Sequence, residues 1–384
     1  MTHTPSRITV LASFSGAGGV ERMLVNLLHG LTELGRPVDL LTIRTSSPYL
    51  DDLPTGVRRI DLGARHSLGA VAALARQLRS ERPPVLLAAK DRAGRAAVLA
   101  RRLAGVETRI VMRLGTNLGA ALAGKHVLAR WLRLTAVRRS WQHIEHIVAV
   151  SDGVAADTAR LAHFPPERIS VIRNPVITPM LAARAALPCP HPWLDEAAQH
   201  VAPVLLGAGR LERQKDFPTL LRAFAALRAE RRCRLLLLGE GAWRHRLTAE
   251  AAALGVAADL DLPGFQSNPY PFLARARVFV LSSAWEGSPN VLTEAMALGT
   301  PVVATDCPSG PREVLADGRF GRLVPVGDAA ALAKAMAATL ANPLPAAVLQ
   351  HAVAAYRSDA SAAAYAAALD AVAAGKAPSM QPPP

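Results

Sequence analysis

The sequence has few cysteines, few aromatic residues and no long apolar run. Its 384 residues include three cysteines, Cys189, Cys233 and Cys307, which form no C-x-x-C pair. We therefore expect neither a disulfide framework nor a zinc site, and we interpret all three as ordinary thiols. No segment approaches the ~20 apolar residues of a membrane-spanning helix, and the first residues lack the pattern of a secretory signal. These absences predict a cytoplasmic protein.

Acidic residues are also scarce, and the resulting positive charge lies in one half of the chain. The formal net charge is +14; residues 1–177 contain 25 Lys and Arg against 13 Asp and Glu, and residues 178–384 contain 19 against 17. A one-sided excess favours a surface that meets an anion, such as lipid headgroups, nucleic acid or a phosphorylated acceptor. The alternative, that Arg is simply the solubilising residue of an Ala-rich chain, stays open.

The order of apolar and helical segments predicts two α/β domains. Short apolar runs alternate with helix-like stretches, as is typical of βαβ units with parallel sheets. Prolines interrupt residues 178–200, so we predict a first domain over 1–177, a linker over 178–200 and a second domain over 201–348. Helices are predicted within 349–375 and a disordered tail over 376–384. Strands are predicted at 8–12, 38–43, 84–89, 108–113, 146–151, 202–209, 233–239, 277–282, 301–305 and 321–326.

Two glutamates surround a predicted helix start in "WEGSPNVLTEAM" (285–296). The pattern predicts a helix over 289–298 with Ser288 as its cap, so that Glu286 precedes the helix and Glu294 lies in its second turn. Free N–H groups at a helix start attract phosphate, and carboxylates accept hydrogen bonds from hydroxyls. Sugars on either side of a diphosphate are the ligands that fit. The alternative makes Glu286 an ordinary loop residue and Glu294 a solvated helix residue.

A second segment, "GAGRLERQKDFPTLLRAF" (207–224), adds positive charge at the same predicted sheet edge. It leaves a strand, turns at Gly209 and enters a helix near Pro218. Arg210 can hold phosphate oxygens with two donors and Lys215 supplies a point charge, so together they could stabilise a leaving diphosphate. Ordinary surface charges are the alternative.

A glycine-rich loop follows the first predicted strand, in "SFSGAGGVER" (13–22). Gly16, Gly18 and Gly19 would let the backbone approach a ligand closely. A dinucleotide site is disfavoured, because the third glycine of G-x-G-x-x-G would fall at Glu21. A plain tight turn stays open.

These segments resemble the retaining glycosyltransferases of family 4, which have the GT-B fold. The resemblance is carried by "GRLERQKDF", "LLGEG", "LPGF" and "WEGSPNVLTEAMALGTPVVATD" in the second half, and by "SGAGGVERMLVNLLHGL", "VAVSDGVAADTARL" and "RISVIRNPV" in the first. Glu286 and Glu294 match the family's E-x7-E motif. The resemblance implies an α/β GT-B fold, with two Rossmann-like doubly wound domains facing across a cleft. It also implies that the last helix, around Tyr365, returns to the first domain.

The resemblance further implies a role for each matching residue. Arg210, Lys215 and Glu286 would be catalytic: the two cations hold the diphosphate, and Glu286 contacts the donor sugar near its reacting carbon. Glu294 would bind the ribose hydroxyls, and the segment with Phe265 would lie by the base. Donor contacts are expected at Gly16, Gly18, Gly19, Arg210, Lys215, Phe265, Gln266, Glu286, Gly287, Ser288, Pro289, Asn290, Val291 and Glu294. No metal and no cofactor are expected, because the cations and the helix start meet the phosphate charge.

One family feature is missing from the first half. Members often carry a histidine after the strand that here reads "TRIVMRLGTN" (108–117), and this chain has none until His126. Arg113 and Asn117 are the candidates for orienting the sugar instead. Lys90 and Arg92 could also reach the cleft, although solvation of both at the surface is the commoner situation.

A basic, apolar helix is predicted at "KHVLARWLRLTAVRRSW" (125–141). Such a helix would be attracted to an anionic membrane surface, but packing on its own sheet explains the apolar side chains equally well. Nucleic acid is disfavoured, because stacking aromatics are absent. The apolar side consists of Val127, Leu128, Trp131, Leu132 and Thr135, and the cations are Lys125, Arg130, Arg133, Arg138 and Arg139.

The resemblance predicts a retaining, metal-independent hexosyl- or N-acetylhexosaminyltransferase. The donor is expected to be a UDP-sugar, and the acceptor a lipid-linked or growing surface glycan such as lipopolysaccharide, at the inner face of a bacterial membrane. One alternative is a phosphorylase, for whose pyridoxal phosphate no lysine stands out. Another is a non-catalytic sugar-nucleotide or membrane-binding partner of a second transferase.

Overall fold

The computed structural model describes residues 7–16, 18–124 and 126–378, which form two compact α/β units. The first unit extends to Val176 and resumes at Tyr356, and the second unit comprises Ile177–Ala355. Each unit contains one parallel sheet, of seven strands in the first and six in the second. The two doubly wound sheets are those of the GT-B fold.

The strands coincide with the buried apolar runs of the sequence. All ten predicted strands are present, and the structure adds three short ones, β3, β7 and β10. The strands are β1 (Ile8–Phe14), β2 (Val38–Thr45), β3 (Val57–Asp61), β4 (Val85–Ala88), β5 (Arg109–Leu114), β6 (His146–Ala149), β7 (Ile169–Val171), β8 (Val204–Ala208), β9 (Arg234–Leu238), β10 (Leu260–Gly264), β11 (Val278–Leu281), β12 (Val302–Thr305) and β13 (Arg322–Val324).

Helices connect successive strands, as parallel pairing requires. They are α1 (Gly19–Glu33), α2 (Val71–Glu81), α3 (Asp91–Ala104), α4 (Leu118–Leu122), α5 (Val127–Trp141), α6 (Asp152–Ala162), α7 (Met180–Ala186), α8 (Glu196–Val201), α9 (Phe217–Glu230), α10 (Arg244–Ala253), α11 (Tyr270–Arg275), α12 (Asn290–Ala297), α13 (Pro311–Val314), α14 (Ala329–Ala341), α15 (Ala346–Ala352) and α16 (Ser358–Ala373). Among these described helices, none combines the length and the apolar content needed to cross a membrane.

The order of the strands determines where each sheet can bind a ligand. The first sheet has the order β3-β2-β1-β4-β5-β6-β7 and the second has the order β10-β9-β8-β11-β12-β13. The order therefore reverses between β1 and β4 in one sheet and between β8 and β11 in the other. At such a reversal the connecting helices diverge to opposite faces and leave a crevice beyond the carboxyl ends of the strands.

Helix α16 packs on α1 in the first unit. Leu24 and Leu28 of α1 share a core cluster with Tyr365 of α16. The helices approach closely at Gly30, where an added Cβ would lie 2.6 Å from the Cβ of Ala362. Each fully buried large apolar side chain here stabilises the fold by about 1.5–3 kcal/mol. This packing makes the last helix an integral part of the first unit.

The middle of the chain differs from its sequence interpretation. Residues 178–200 were expected to be an irregular linker, but they contain α7 and most of α8 and belong to the second unit. Pro179 precedes the first residue of α7 and Pro192 begins a 3₁₀ turn, so both lie at helix starts, where proline is tolerated. Within 349–375, α15 belongs to the second unit and α16 to the first. The predicted tail lies outside the described residues from 379 onward.

The three cysteines are free thiols, as expected from their spacing. Burial raises the pKa of Cys233 to about 11. Burial, with a smaller contribution from the nearby Glu286 carboxylate, raises the pKa of Cys307 to about 12. Both side chains therefore remain protonated and pack as small apolar groups.

Candidate functional site

Hydrogen bonds connect the loops that follow β8 and β11, the two strands at the reversal of the second sheet. The Gln214 side chain donates to the carbonyl of Trp285 over 3.0 Å, and the Ala284 amide donates to the carbonyl of Gln214 over 2.8 Å. The Ser282 hydroxyl donates to the carbonyl of Lys215 over 2.7 Å. The position of one loop therefore determines that of the other.

A close ion pair lies where these loops meet. Lys215 Nζ is 2.6 Å from Glu286 Oε1, and the same oxygen accepts a hydrogen bond of 2.7 Å from Ser283 Oγ. The exposed fractions of the two charged side chains are 16% for Lys215 and 7% for Glu286. Because solvent screens this pair poorly, each charge is held in place by the other. Glu286 is therefore a buried, paired carboxylate rather than a solvated loop side chain.

Gly209 makes room for the lysine side chain. Its φ of +151° is unfavourable for a residue with a side chain, and an added Cβ would lie 2.6 Å from Cε of Lys215. The stem of Lys215 therefore lies directly against the backbone at the end of β8. Any larger residue at 209 would displace the ammonium group.

The start of α12 differs in detail from its prediction. Pro289, rather than Ser288, occupies the cap position, and no side chain caps the helix. The Ser288 hydroxyl is buried, and within the described chain it has no hydrogen-bond partner. Pro289 has no N–H and the Asn290 amide donates to Ser288. Of the three backbone N–H groups between Ser288 and Val291, those of Ser288 and Val291 donate to no described acceptor.

Glu294 lies in the second turn of α12 and is buried, with 2% of its surface exposed. The alternative of a solvated helix residue is therefore wrong. A carboxylate is rarely buried without polar partners, since desolvation of the charge is costly. Its depth in the helix places it behind the open amides, at the same edge as the ion pair.

The remaining second-unit residues lie at the same edge of the sheet but are more exposed. Arg210 follows β8 with 66% of its side chain exposed, and its Nη1 is 3.5 Å from Glu212 Oε2. Phe265 is 41% exposed after β10, and the Gln266 side chain donates to the carbonyl of Pro263 over 3.1 Å. Two strand positions separate β10 from β8, so these residues lie at the periphery of the site.

Three predicted donor contacts, Gly16, Gly18 and Gly19, belong to the first unit. They follow β1 at the reversal of the first sheet, and Gly18 caps α1 without a side chain. An added Cβ at Gly18 would lie 2.7 Å from Glu21 Oε2, whereas one at Gly16 would meet nothing within 4 Å. Ala17 lies outside the described residues. A side chain at position 18 would therefore have to displace the Glu21 carboxylate.

The two candidates for orienting a sugar in the first unit have structural partners. Arg113 is almost fully buried in β5, and its Nη2 donates to Asn174 Oδ1 over 2.8 Å. Burial lowers the pKa of Arg113, and the neighbouring Tyr365 opposes that shift. Asn117 accepts from the Ala120 amide over 2.8 Å and so caps α4. Both side chains stabilise the first unit.

Lys90 and Arg92 are exposed, as expected, and they also line a cavity of about 640 Å³ in the first unit. The sequence reasoning missed the other cations of that cavity, among them Arg44, Arg65 and Arg139. Arg44 lies near the end of β2 and Arg65 follows β3, whereas Arg139 lies in α5, so no shared local pattern connects the three. Ser283 was also missed, since a serine after a strand is unremarkable until its bond to the glutamate is seen.

Helix α5 begins at Val127, and Lys125 lies outside the described residues. Its first half is not packed on the sheet: Val127, Leu128, Trp131 and Leu132 are 79, 59, 59 and 54% exposed. The second half is anchored by the buried Val137 and Trp141. Packing on the sheet therefore does not explain the apolar side chains of the first half.

The described residues contain no group of three His, Cys, Asp or Glu side chains arranged to hold a metal. One D-x-D pattern does occur, from Asp259 to Asp261. Asp259 accepts a 2.7 Å bond from Arg228, and Asp261 lies 2.9 Å from His191 Nε2. Both acids therefore stabilise the second unit around the start of β10.

Comparisons with known proteins match both units. Residues 18–175 match the model described as "Glycosyl transferase 4-like domain", and residues 202–342 match "Glycosyl transferases group 1". The lipopolysaccharide core biosynthesis glycosyltransferase LpsD of Rhizobium meliloti is 28% identical over 333 residues, which are 84% of this chain and 85% of LpsD.

Shorter stretches match more strongly. N-acetylgalactosamine-N,N'-diacetylbacillosaminyl-diphospho-undecaprenol 4-alpha-N-acetylgalactosaminyltransferase of Campylobacter jejuni is 39% identical over 122 residues, 32% of this chain and 33% of that protein. The matches to three such curated relatives cover only 28 to 40% of the length of each relative.

The fold is shared with solved structures. Anabaena HepE, determined in complex with UDP, superimposes with a TM-score of 0.74 at 19% identity, over 95% of this chain and 100% of HepE. Both family models that match the chain are therefore of glycosyl transferases, a 4-like domain in the first half and a group 1 domain in the second.

Proposed function

We propose that the protein is a retaining, metal-independent glycosyltransferase, which transfers a hexosyl or N-acetylhexosaminyl group from a UDP-sugar to a lipid-linked or growing surface glycan such as lipopolysaccharide. The observation that carries the proposal is the Lys215–Glu286 pair at the strand reversal of the second sheet, with Glu294 buried at the same edge. Cofactors have no part in it, because the nucleotide sugar is itself the activated substrate.

The donor diphosphate would bind between Lys215 and the start of α12. Lys215 is already neutralised by Glu286, so the additional positive potential must come from Arg210 and from the open amides of Ser288 and Val291. The buried Ser288 hydroxyl supplies one more donor. These groups meet the charge that a divalent cation would meet in a metal-dependent enzyme.

The carboxylates would bind the hydroxyl groups on either side of the diphosphate. Glu294 accepts hydrogen bonds from the ribose, and Phe265 and Gln266 at the periphery lie by the base. Glu286 faces the donor sugar, and its hydrogen bond from Ser283 keeps the carboxylate oriented when Lys215 moves toward phosphate. Each bond formed to a hydroxyl also discriminates against sugars that lack it.

Transfer would exchange one glycosidic bond for another on the same face of the sugar. The bond from the anomeric carbon to the diphosphate oxygen breaks and a bond to the acceptor oxygen forms. The acceptor proton passes to the departing diphosphate. Lys215 and Arg210 stabilise the negative charge that accumulates on that leaving group, which is where such stabilisation lowers the barrier most.

Two findings favour the donor and acceptor classes. HepE was solved with UDP bound, and the names of LpsD and the Campylobacter enzyme state a lipopolysaccharide-core role and a diphospho-undecaprenol acceptor for those proteins. A lipid-linked acceptor requires contact with a membrane. The exposed apolar side chains of α5, together with the exposed Arg130, would make that contact at an anionic, cytoplasmic membrane face.

Thermal unfolding in EDTA with a panel of UDP-, GDP- and ADP-sugars tests the donor site. We expect stabilisation by the UDP-sugars, and loss of that stabilisation in Lys215→Ala and Glu294→Ala. Lys334→Ala, an exposed lysine of the same unit, is the matched control and should behave as wild type. Equal stabilisation of all four proteins, or of none, would refute the donor site.

A further inference from the structure

The cavity of the first unit lies at the strand reversal of its sheet. Its wall contains Ser13 and Ser15 at the end of β1, and Ala89 and Lys90 after β4. Helices α3 and α5 form the opposite side, through residues such as Arg92 and Arg139. This is the position at which an open parallel sheet offers a crevice to a ligand.

The described lining of this cavity is strongly cationic. Seven of its residues are Lys or Arg, and none is Asp or Glu. Four of the arginines, Arg44, Arg65, Arg92 and Arg139, form no ion pair or hydrogen bond with any described residue. All four are exposed, and like charges gathered around a concave surface raise the local positive potential, which attracts an anion.

Neighbouring carboxylates compensate the remaining cations only in part. Lys90 Nζ is 3.4 Å from Glu21 Oε1, and Arg95 is 3.1 Å from Asp91. Asp91 is shared, because Arg133 and the Trp141 indole also donate to it over 2.8 and 2.9 Å. Several positive charges therefore stay uncompensated. A single carboxylate or phosphodiester carries only one negative charge, which is too little to balance them.

A histidine in the wall reports the same positive potential. His143 lines the cavity and contacts Arg102. Burial first, and then the charges of Arg102 and Arg101, lower the pKa of His143. The imidazole is thus held neutral beside the arginines.

The chemistry of the wall indicates what kind of anion fits. All but one of the cations are arginines, whose planar fork matches phosphate oxygens with two parallel bonds. Leu68 and Leu99, 71 and 44% exposed, add apolar surface beside them. About eight residues of α5, or roughly 12 Å, separate Arg139 in the wall from the exposed Trp131.

We propose that this cavity binds the diphosphate group of an amphipathic ligand, whose apolar chain extends toward the exposed face of α5. Identification of that ligand as the glycan acceptor rests on the proposed function, whereas binding of the diphosphate does not. The specific cations are Arg44, Arg65, Arg92 and Arg139, and Lys90 joins them when the ligand competes with Glu21.

Titration calorimetry with the full chain tests the site, with inorganic pyrophosphate and farnesyl diphosphate as probes and farnesol as the uncharged control. Arg92→Gln with Arg139→Gln removes two unpaired cations of the cavity. Arg59→Gln with Arg76→Gln is the matched control, since both arginines are exposed in the same unit, lack described partners and lie outside the cavity. We expect the cavity variant to bind farnesyl diphosphate about tenfold more weakly or worse, and the control variant to bind as wild type.

Two further measurements separate this site from the donor site. Lys215→Ala should lose UDP binding and keep farnesyl diphosphate binding, and the cavity variant should do the reverse. Suppose that Lys215→Ala loses UDP binding but that farnesyl diphosphate binds the cavity variant and the control variant equally well. The cavity assignment is then overturned and the donor proposal stands. If UDP fails to bind while the cavity variant loses farnesyl diphosphate, the donor proposal fails and the cavity assignment stands.

Phosphate from a bilayer headgroup is the other source of the same chemistry. Phosphatidylglycerol vesicles distinguish it: a loss of vesicle binding in the cavity variant, with pyrophosphate and farnesyl diphosphate binding unchanged, would overturn the diphosphate assignment. Arg92→Lys with Arg139→Lys keeps the charge and removes the fork. We expect this lysine variant to bind farnesyl diphosphate more weakly than wild type but more tightly than the glutamine variant. That result, with an unchanged unfolding temperature, supports the predicted contacts.

Discussion

The second sheet presents Lys215 and Glu286 at its strand reversal, held together at 2.6 Å. The first sheet presents, at the equivalent reversal, a cavity in which four arginines, Arg44, Arg65, Arg92 and Arg139, have no described carboxylate partner. The same topology thus produces one edge with a fixed charge pair and another with unpaired cations. A fixed pair keeps its groups at defined positions before a ligand arrives, as stabilisation of a developing charge requires. Unpaired cations instead bind a whole anion and favour affinity over precise placement.

Among substitutions that test this difference between the two sheets, we expect the largest effect from a change at Lys215. Lys215→Ala removes the cation at the leaving group and leaves Glu286 buried without its partner, so we expect sugar transfer to fall by about 100-fold or more. Turnover of UDP-sugar with a lipid-linked acceptor measures it. Lys334→Ala should retain full turnover, and a Lys215→Ala enzyme as active as that control would show that the pair has no catalytic part.

Glycines at the two strand reversals should respond differently. Gly209→Ala forces a side chain into a φ of +151° and against Lys215, so we expect a loss of about 2–3 kcal/mol in unfolding free energy and weaker UDP binding. Gly16→Ala meets open space and should leave stability unchanged. Urea unfolding of both variants measures this difference, and equal effects would contradict it.

Sensitivity to acid should come from the first sheet. Burial, with a smaller contribution from Arg168, lowers the pKa of His146 from 6.5 to about 4, and His146 bonds to Ser170 over 2.8 Å. Between pH 6.5 and about 4, His146 binds a proton in the unfolded chain but stays neutral in the folded chain. Stability therefore falls as pH decreases, by about 2 kcal/mol between pH 7 and 5. His146→Gln should flatten that dependence in thermal unfolding; a profile as steep as wild type would exclude His146 as its source.

The smallest effect is expected at the exposed half of α5. Trp131→Ser with Leu132→Ser removes apolar contacts worth about 1 kcal/mol each at a bilayer surface, so sedimentation with phosphatidylglycerol vesicles should decrease while the unfolding temperature stays the same. Leu187→Ser, at a side chain 52% exposed in the second unit, is the control. If the α5 variant still binds vesicles as wild type does, the membrane contact lies on another surface of the protein.

The sequence was sufficient for the central strands and for the proximity of Lys215 to Glu286, because both have local signals. Continuous apolar runs predicted β8 and β11, and the E-x7-E pattern with Arg210 and Lys215 predicted which side chains share an edge. The three missed strands had weaker signals: β3 and β10 have mixed or partly exposed patterns, and β7 has three residues. Residues 178–200 were misread because proline ends a helix in its interior but is tolerated at its start.

The cationic cavity had no such local signal. Arg44, Arg65 and Arg139 are separated by many residues and come together only through the strand order. For the same reason the local pattern around Arg113 does not reveal its burial, which depends on the return of α16 with Tyr365. Such long-range packing is absent from a linear pattern.

The return of the chain to the first unit has a consequence for how such proteins can be recombined. The Val176 amide donates to the carbonyl of Tyr356 over 3.0 Å, so the chain leaves the first unit and re-enters it at one point. The second unit is thus an insertion whose two junctions are one hydrogen bond apart. A foreign module spliced at these two positions would leave α16 and the cationic cavity in place, so the second unit can be exchanged while the first is inherited intact.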